Sequence, residues 1–181
     1  MQKLLSIFVL FLFLFLFIGF ESTAQSYAGE EYNLQGIEEL KSKIQTKHPV
    51  TYLELAGQLL NEGKMDEAVV WYYVGQIRYR AYLTANPELA PSGDPALYGS
   101  LKYILGTPIN EYAGSNPDNW VKLIEQAIQW HHENPNFFTP KDTHSEIYST
   151  IEAGFIEFRD SVKSSKEEIR KQRAANGLQN S

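Results

Sequence analysis

Arg78 and Arg80 stand two residues apart in the stretch from Met65 to Asn86, MDEAVVWYYVGQIRYRAYLTAN, among Tyr72, Tyr73, Tyr79 and Tyr82. A guanidinium buried without a partner is strongly unfavourable. Each arginine is therefore expected either to pair with a carboxylate such as Glu54 or Glu111, or to open onto a surface groove. Structural pairing is the first expectation. The functional alternative is an Arg- and Tyr-lined binding groove, with Arg78, Arg80 and Tyr82 as candidates, because Arg, Tyr and Trp carry most binding energy at interfaces.

A second cluster is His131, His132 and Glu133, with His144 and Glu146 a short loop away. Adjacent helical side chains point about 100° apart, so neighbouring histidines do not share a metal the way an i, i+4 pair does. A zinc site using one of them with His144 is the weaker reading. Exposed histidines near a helix C-terminus, where their protonation suits the dipole, are the stronger. No metal or cofactor is expected.

Nucleophilic catalysis finds no support: the chain has no cysteine and no G-x-S-x-G turn. It has no phosphate-cradling glycine loop either. Glu111 with Asp118 can be drawn as a paired-carboxylate site, and Glu111, Glu125 or Glu133 as acid or base of an enzyme acting on cell-wall material, but any acidic chain offers such pairs. The segment Pro108-Ile109-Asn110-Glu111-Tyr112 reads as a short helix between glycine-bounded turns. Asn110, Glu111 and Tyr112 are then candidates for a recognition corner. The structural alternative is a helix elbow plugged by Ile109 and Tyr112.

The elements that must position these residues are helical. Val69, Tyr72, Tyr73, Val74, Ile77, Tyr79, Tyr82 and Leu83 put apolar or aromatic surface on every side of the Met65–Asn86 helix. A helix that is apolar all round belongs inside a protein. Around it, Leu34, Ile37, Leu40 and Ile44 predict one amphipathic helix from Asn33 to the His48-Pro49 pair. Pro49 opens a second that carries Tyr52, Leu55, Ala56 and Leu59 and stops at Gly63. Asp94-Pro95, Thr107-Pro108 and Asn116-Pro117 each read as a cap followed by a proline start, giving helices over about 95–105, 108–113 and 117–133. Ile147, Ile151, Phe155, Phe158 and Val162 predict a last long helix from His144 or Ser145. Ser165 and Glu168 suit a capping box, so the basic tail 163–176 is either a separate helix or a continuation. No segment alternates like a strand. The expected fold is all-α, a compact bundle of six or seven helices.

Within it, YLELAGQLLNEGKMDEAVVWYYVGQ places Tyr52, Leu55, Ala56, Leu59, Gly63, Ala68, Tyr72 and Gly75 at large, small and turn positions. Over about residues 50–77 this resembles a single tetratricopeptide or Sel1-type helical repeat. The resemblance implies an antiparallel hairpin in which Ala56, Ala68 and Gly75 allow close approach, and it implies protein binding. No second copy follows at a spacing of about 34 residues.

The start of the chain, MQKLLSIFVLFLFLFLFIGFESTAQS, has one cation at Lys3, an apolar run from Leu4 to Phe20 and then small residues. That is the layout of a secretory signal peptide with cleavage after Ala24; an uncleaved anchor is the alternative. Residues 25–181 then form one helical domain without disulfides, expected to be periplasmic or secreted and bacterial, with no stable membrane span after cleavage. The net charge is -6. Residues 25–162 hold ten Lys or Arg against 19 Asp or Glu, and the tail after them is basic. Such a body argues against nucleic-acid binding, which needs a broad basic surface. The tail itself is expected to be a solvated helix end. The function these features favour is binding of a protein partner, in concrete form an immunity-type protein that neutralises an envelope-acting effector; the competing class is the cell-wall enzyme.

Overall fold

The computed structural model describes residues 36–181, so the signal segment 1–24 and the start of the first expected helix lie outside the described residues. Seven α-helices and no strand occur among those residues: α1 Ile37–Lys41, α2 Val50–Asn61, α3 Met65–Ala85, α4 Asp94–Ser115, α5 Pro117–Glu133, α6 Ser145–Ser164 and α7 Lys166–Ala175. The protein is all-α. No helix among the described residues is long and apolar enough to cross a membrane.

The organising element is α3. Every residue from Tyr72 to Tyr79 is buried, eight in succession, so all faces of the helix are covered. The covers are α2, α4, α5 and α6, each packed against it. Glycine at position 63 adopts φ 73° and reverses the chain between α2 and α3. The two helices run antiparallel at close range. A Cβ added at Gly75 would lie 2.7 Å from Leu53 Cδ2 and 3.1 Å from Tyr52 Cβ. Ala56, Leu59 and Ala68 are buried in the same seam.

Three expectations from sequence are corrected. The single helix over 33–47 is broken: α1 ends at Lys41, Lys43 takes a left-handed conformation at φ 53°, and Ile44–Thr46 make one 3-10 turn. The break lets Leu40 and Ile44 both reach the core. Carbonyls freed at the end of α1 are taken by Lys47 Nζ, which donates to Glu39 O at 2.7 Å and Leu40 O at 3.4 Å.

The two helices expected over 95–113 are one, because α4 runs through Gly106-Thr107-Pro108. Pro108 removes the amide that would reach the Ile104 carbonyl, and Ile104 lies on the exposed side of α4, where water can serve that oxygen. Gly106 is not a helix stop. Its missing side chain admits the Tyr72 hydroxyl, which would sit 2.5 Å from a Cβ there and which donates to Lys102 O at 2.9 Å. Nor does Asp94 cap α4. Gly93 holds that position, and the Asp94 carboxylate accepts from the Tyr79 and Tyr82 hydroxyls and lies 3.3 Å from His48 Nε2.

The basic tail has no buried residue, as expected of a solvated helix end, but surface ion pairs tie it to the body. It forms α7 after a break at Ser165, whose side chain makes no capping bond. Lys166 and Arg170 pair with Asp118 near the start of α5, and Arg173 Nη1 donates to Glu111 O at 2.9 Å. These contacts hold Asp118 below the usual carboxylate range.

The tight α2–α3 seam sets the first prediction. Gly75→Ala should destabilise the protein by about 1–3 kcal/mol, because leucine and tyrosine side chains must move in a filled core. Gly99→Ala, on the exposed side of α4 with nothing within 4 Å of the added atom, should instead stabilise by up to about 1 kcal/mol. Urea unfolding of the two variants checks both signs.

Candidate functional site

A cavity of about 670 Å³ opens between α3, α4, α5 and α6. It exists because α4 and α6 both pack on α3 but hardly touch each other. Tyr72, Tyr73, Gln76 and Arg80 come from α3; Lys102, Tyr103 and Asn110 from α4; Trp120 from α5; Phe155 and Phe158 from α6. The rings pack edge to face: Tyr73 meets Phe158 with centroids at 5.7 Å, and Trp120 meets Phe158 at the same distance.

The hydroxyls in this wall are committed. Trp120 Nε1 donates to Tyr73 Oη at 2.7 Å, and Tyr73 Oη donates to Asn110 Oδ1 at 2.8 Å. Burial pushes Tyr72 up to about 12 and Tyr73 further, so both phenols stay protonated. Gln76 is different. It is 7% exposed, lines the cavity, and its amide makes no hydrogen bond to a described residue.

Two cations and no carboxylate line the space. Arg80 lies with its guanidinium carbon 5.4 Å from the centre of the Phe155 ring, and its Nε donates to Tyr98 Oη at 3.1 Å. Neither Arg80 nor Lys102 forms an ion pair with a described residue. The cavity thus presents aromatic rings and two cations, and no carboxylate among the described residues lines it. Of the carboxylates considered for acid–base work, Glu125 and Glu133 line a smaller depression of about 270 Å³ with His132, Glu152 and Arg159, and Glu111 lines neither space.

Two of the six sequence candidates, Arg80 and Asn110, meet in the large cavity. The others are dispersed. Tyr82 packs with His48 and Phe138 beside Asp94. Tyr112 donates to Asp66 Oδ1 at 2.9 Å, and Glu111 offers its carbonyl to Arg173. Arg78 meets neither expectation, groove or carboxylate. It is fully buried, donates from Nη2 to Asn134 O at 2.8 Å, and lies 5.5 Å over the Trp130 ring, while Nε and Nη1 have no hydrogen-bond partner among the described residues. Burial lowers its affinity for the proton. Sequence reasoning missed Gln76, Lys102, Phe155 and Phe158 as site residues. A glutamine in the middle of an otherwise apolar turn, VGQI, was the available signal.

The histidines also separate. His131 is buried and stacked on Tyr148 at 5.2 Å, not exposed at a helix end as expected. Burial, and then the charge of Arg78, lower it to about 3. His132 is exposed, 3.1 Å from Glu152. Among the described residues no three His, Cys, Asp or Glu gather to hold a metal. Comparison with protein-family models, with curated proteins and with solved structures found no match to this chain.

His131 generates a pH prediction. Its folded-state value of about 3 lies below the ordinary 6.5, so the unfolded chain takes up a proton first. The stability contributed by the neutral ring is present above pH 6.5 and is lost as pH falls toward 3. Between pH 6.5 and 4.5 the loss should be about 2 kcal/mol. His131→Phe, which keeps a flat ring against Tyr148, should remove that share of the acid slope in urea titrations at the two pH values.

Proposed function

We propose that this chain is an exported helical binding protein, acting in a bacterial envelope or outside the cell by seating a protein partner on α4. The observation that carries this reading is the outward face of that helix. Tyr103 and Ile104 are 77% and 63% exposed, and Leu97 stands one heptad before Ile104 on the same side. Large aromatic and aliphatic side chains clustered in solvent mark interaction surfaces. Lys102 stands next to Tyr103 along α4 in a chain whose net charge is -6, so a partner surface that is apolar at its centre with an acidic group at its rim is the complement.

A tetratricopeptide-like character of the α2–α3 hairpin accords with protein binding, and the absence of a carboxylate from the cavity favours binding over cell-wall hydrolysis. The concrete form is an immunity-type protein that neutralises an envelope-acting effector. Its partner then comes from a competitor and not from the producing cell.

The test uses residues 25–181 as bait against the native envelope and against culture fluid of effector-armed neighbours. Tyr103→Ser with Ile104→Ser should abolish capture of the wild-type partner while stability stays within about 0.5 kcal/mol, as for exposed substitutions. Capture undiminished by the double change would reject α4 as the docking face. Equal survival of cells with and without the gene beside such neighbours would reject the immunity form.

A further inference from the structure

We propose that the cavity between α3, α4, α5 and α6 is a binding site for a carboxylate carried on a flat apolar body. The inference goes beyond docking of a protein on α4, since it concerns the interior of the cavity and requires no partner on the outer face.

Size comes first. About 670 Å³ falls in the range of sites that enclose a drug-sized molecule. The walls suit a planar apolar body, because Tyr72, Tyr73, Trp120, Phe155 and Phe158 present ring faces and edges in place of branched aliphatic side chains.

The polar groups then choose the head group. Gln76 lines the cavity and its amide makes no hydrogen bond to a described residue, so both its donor and its acceptor are open to a ligand. A ligand oxygen placed there recovers the donor. Arg80 is anchored by its Nε to Tyr98 and by its face to Phe155, leaving both terminal nitrogens without a hydrogen bond to a described residue. That planar fork matches the two oxygens of a carboxylate. Lys102 adds a second cation, and no acidic residue lines the cavity to neutralise either one. The Tyr72 and Tyr73 protons are already donated elsewhere, so those two phenols do not bind the anion.

The chemistry is the same whether the carboxylate belongs to a small aromatic acid or to a polypeptide ending in an aromatic residue. Calorimetric titration of residues 25–181 with 2-naphthoate, with its neutral counterpart 2-naphthamide, and with acetyl-Ala-Ala-Phe as free acid and as amide separates the sources. At least one acid should bind at least about tenfold more tightly than its own amide. The tighter acid identifies the source. Arg80→Met, a change on an exposed side chain, should erase the preference without shifting the melting temperature. Gln76→Leu should weaken the acid and leave the amide little changed. Equal binding of acid and amide, retention of the preference in Arg80→Met, or no saturable binding of any probe would each overturn the proposal.

Discussion

A helix buried on every side forces the rest of this molecule into place. From Tyr72 to Tyr79, α3 takes into the interior three tyrosines, a glutamine and an arginine along with its aliphatic residues. Apolar burial drives that placement, but each polar tip taken along must find a partner. The partners come from different helices. Tyr72 reaches a carbonyl of α4, Tyr73 joins Asn110 of α4 to Trp120 of α5, Tyr79 reaches Asp94, and Arg78 reaches Asn134 beyond α5. Packing draws the outer helices to α3, and these bonds set their register along it.

Much of this was legible in the sequence because it rests on period and punctuation. The all-round apolar character of α3, the glycine turn before it, the Asn116-Pro117 start of α5 and the apolar stripe of α6 follow from residue spacing alone. Misread elements share a different cause. Gly106-Thr107-Pro108 looks like a helix boundary, yet glycine is there so that a tyrosine from another helix can come close, and proline is tolerated because the carbonyl it frees faces water. The tail is solvated, as its composition implies, but Asp118, nearly 50 residues earlier, gathers its cations. Local pattern does not contain such long-range partners.

The site was less legible for the same reason. Arg78 and Arg80 are equivalent in sequence terms, each adjacent to Tyr79, but two positions along a helix amount to about 200° of rotation. One therefore faces the closed side of α3, against Trp130 and Tyr148, and the other the open side. Asn110 lines the cavity, whereas the recognition corner expected around it is not formed by the continuous α4. Tyr112 and Glu111 stood out as surface groups and prove to be tied into structural contacts.

The open side of α3 is where sequence, packing and function converge. Four helices cover α3, but α4 and α6 diverge, and the gap between them is floored by the same buried helix that organises the fold. A more complementary α4–α6 contact would close the gap and cover Gln76, as Trp130 covers Arg78 on the opposite side. Instead the facing positions carry Gly106 and Gly154, which contribute no side chain, and aromatic rings that stand around the space. Gly106 is kept small by the Tyr72 hydroxyl, Gly154 has open space before it, and the exposed Arg80 guanidinium has no counter-ion among the described residues. Together they leave a cavity between α4 and α6, floored by α3 and lined by rings and two cations.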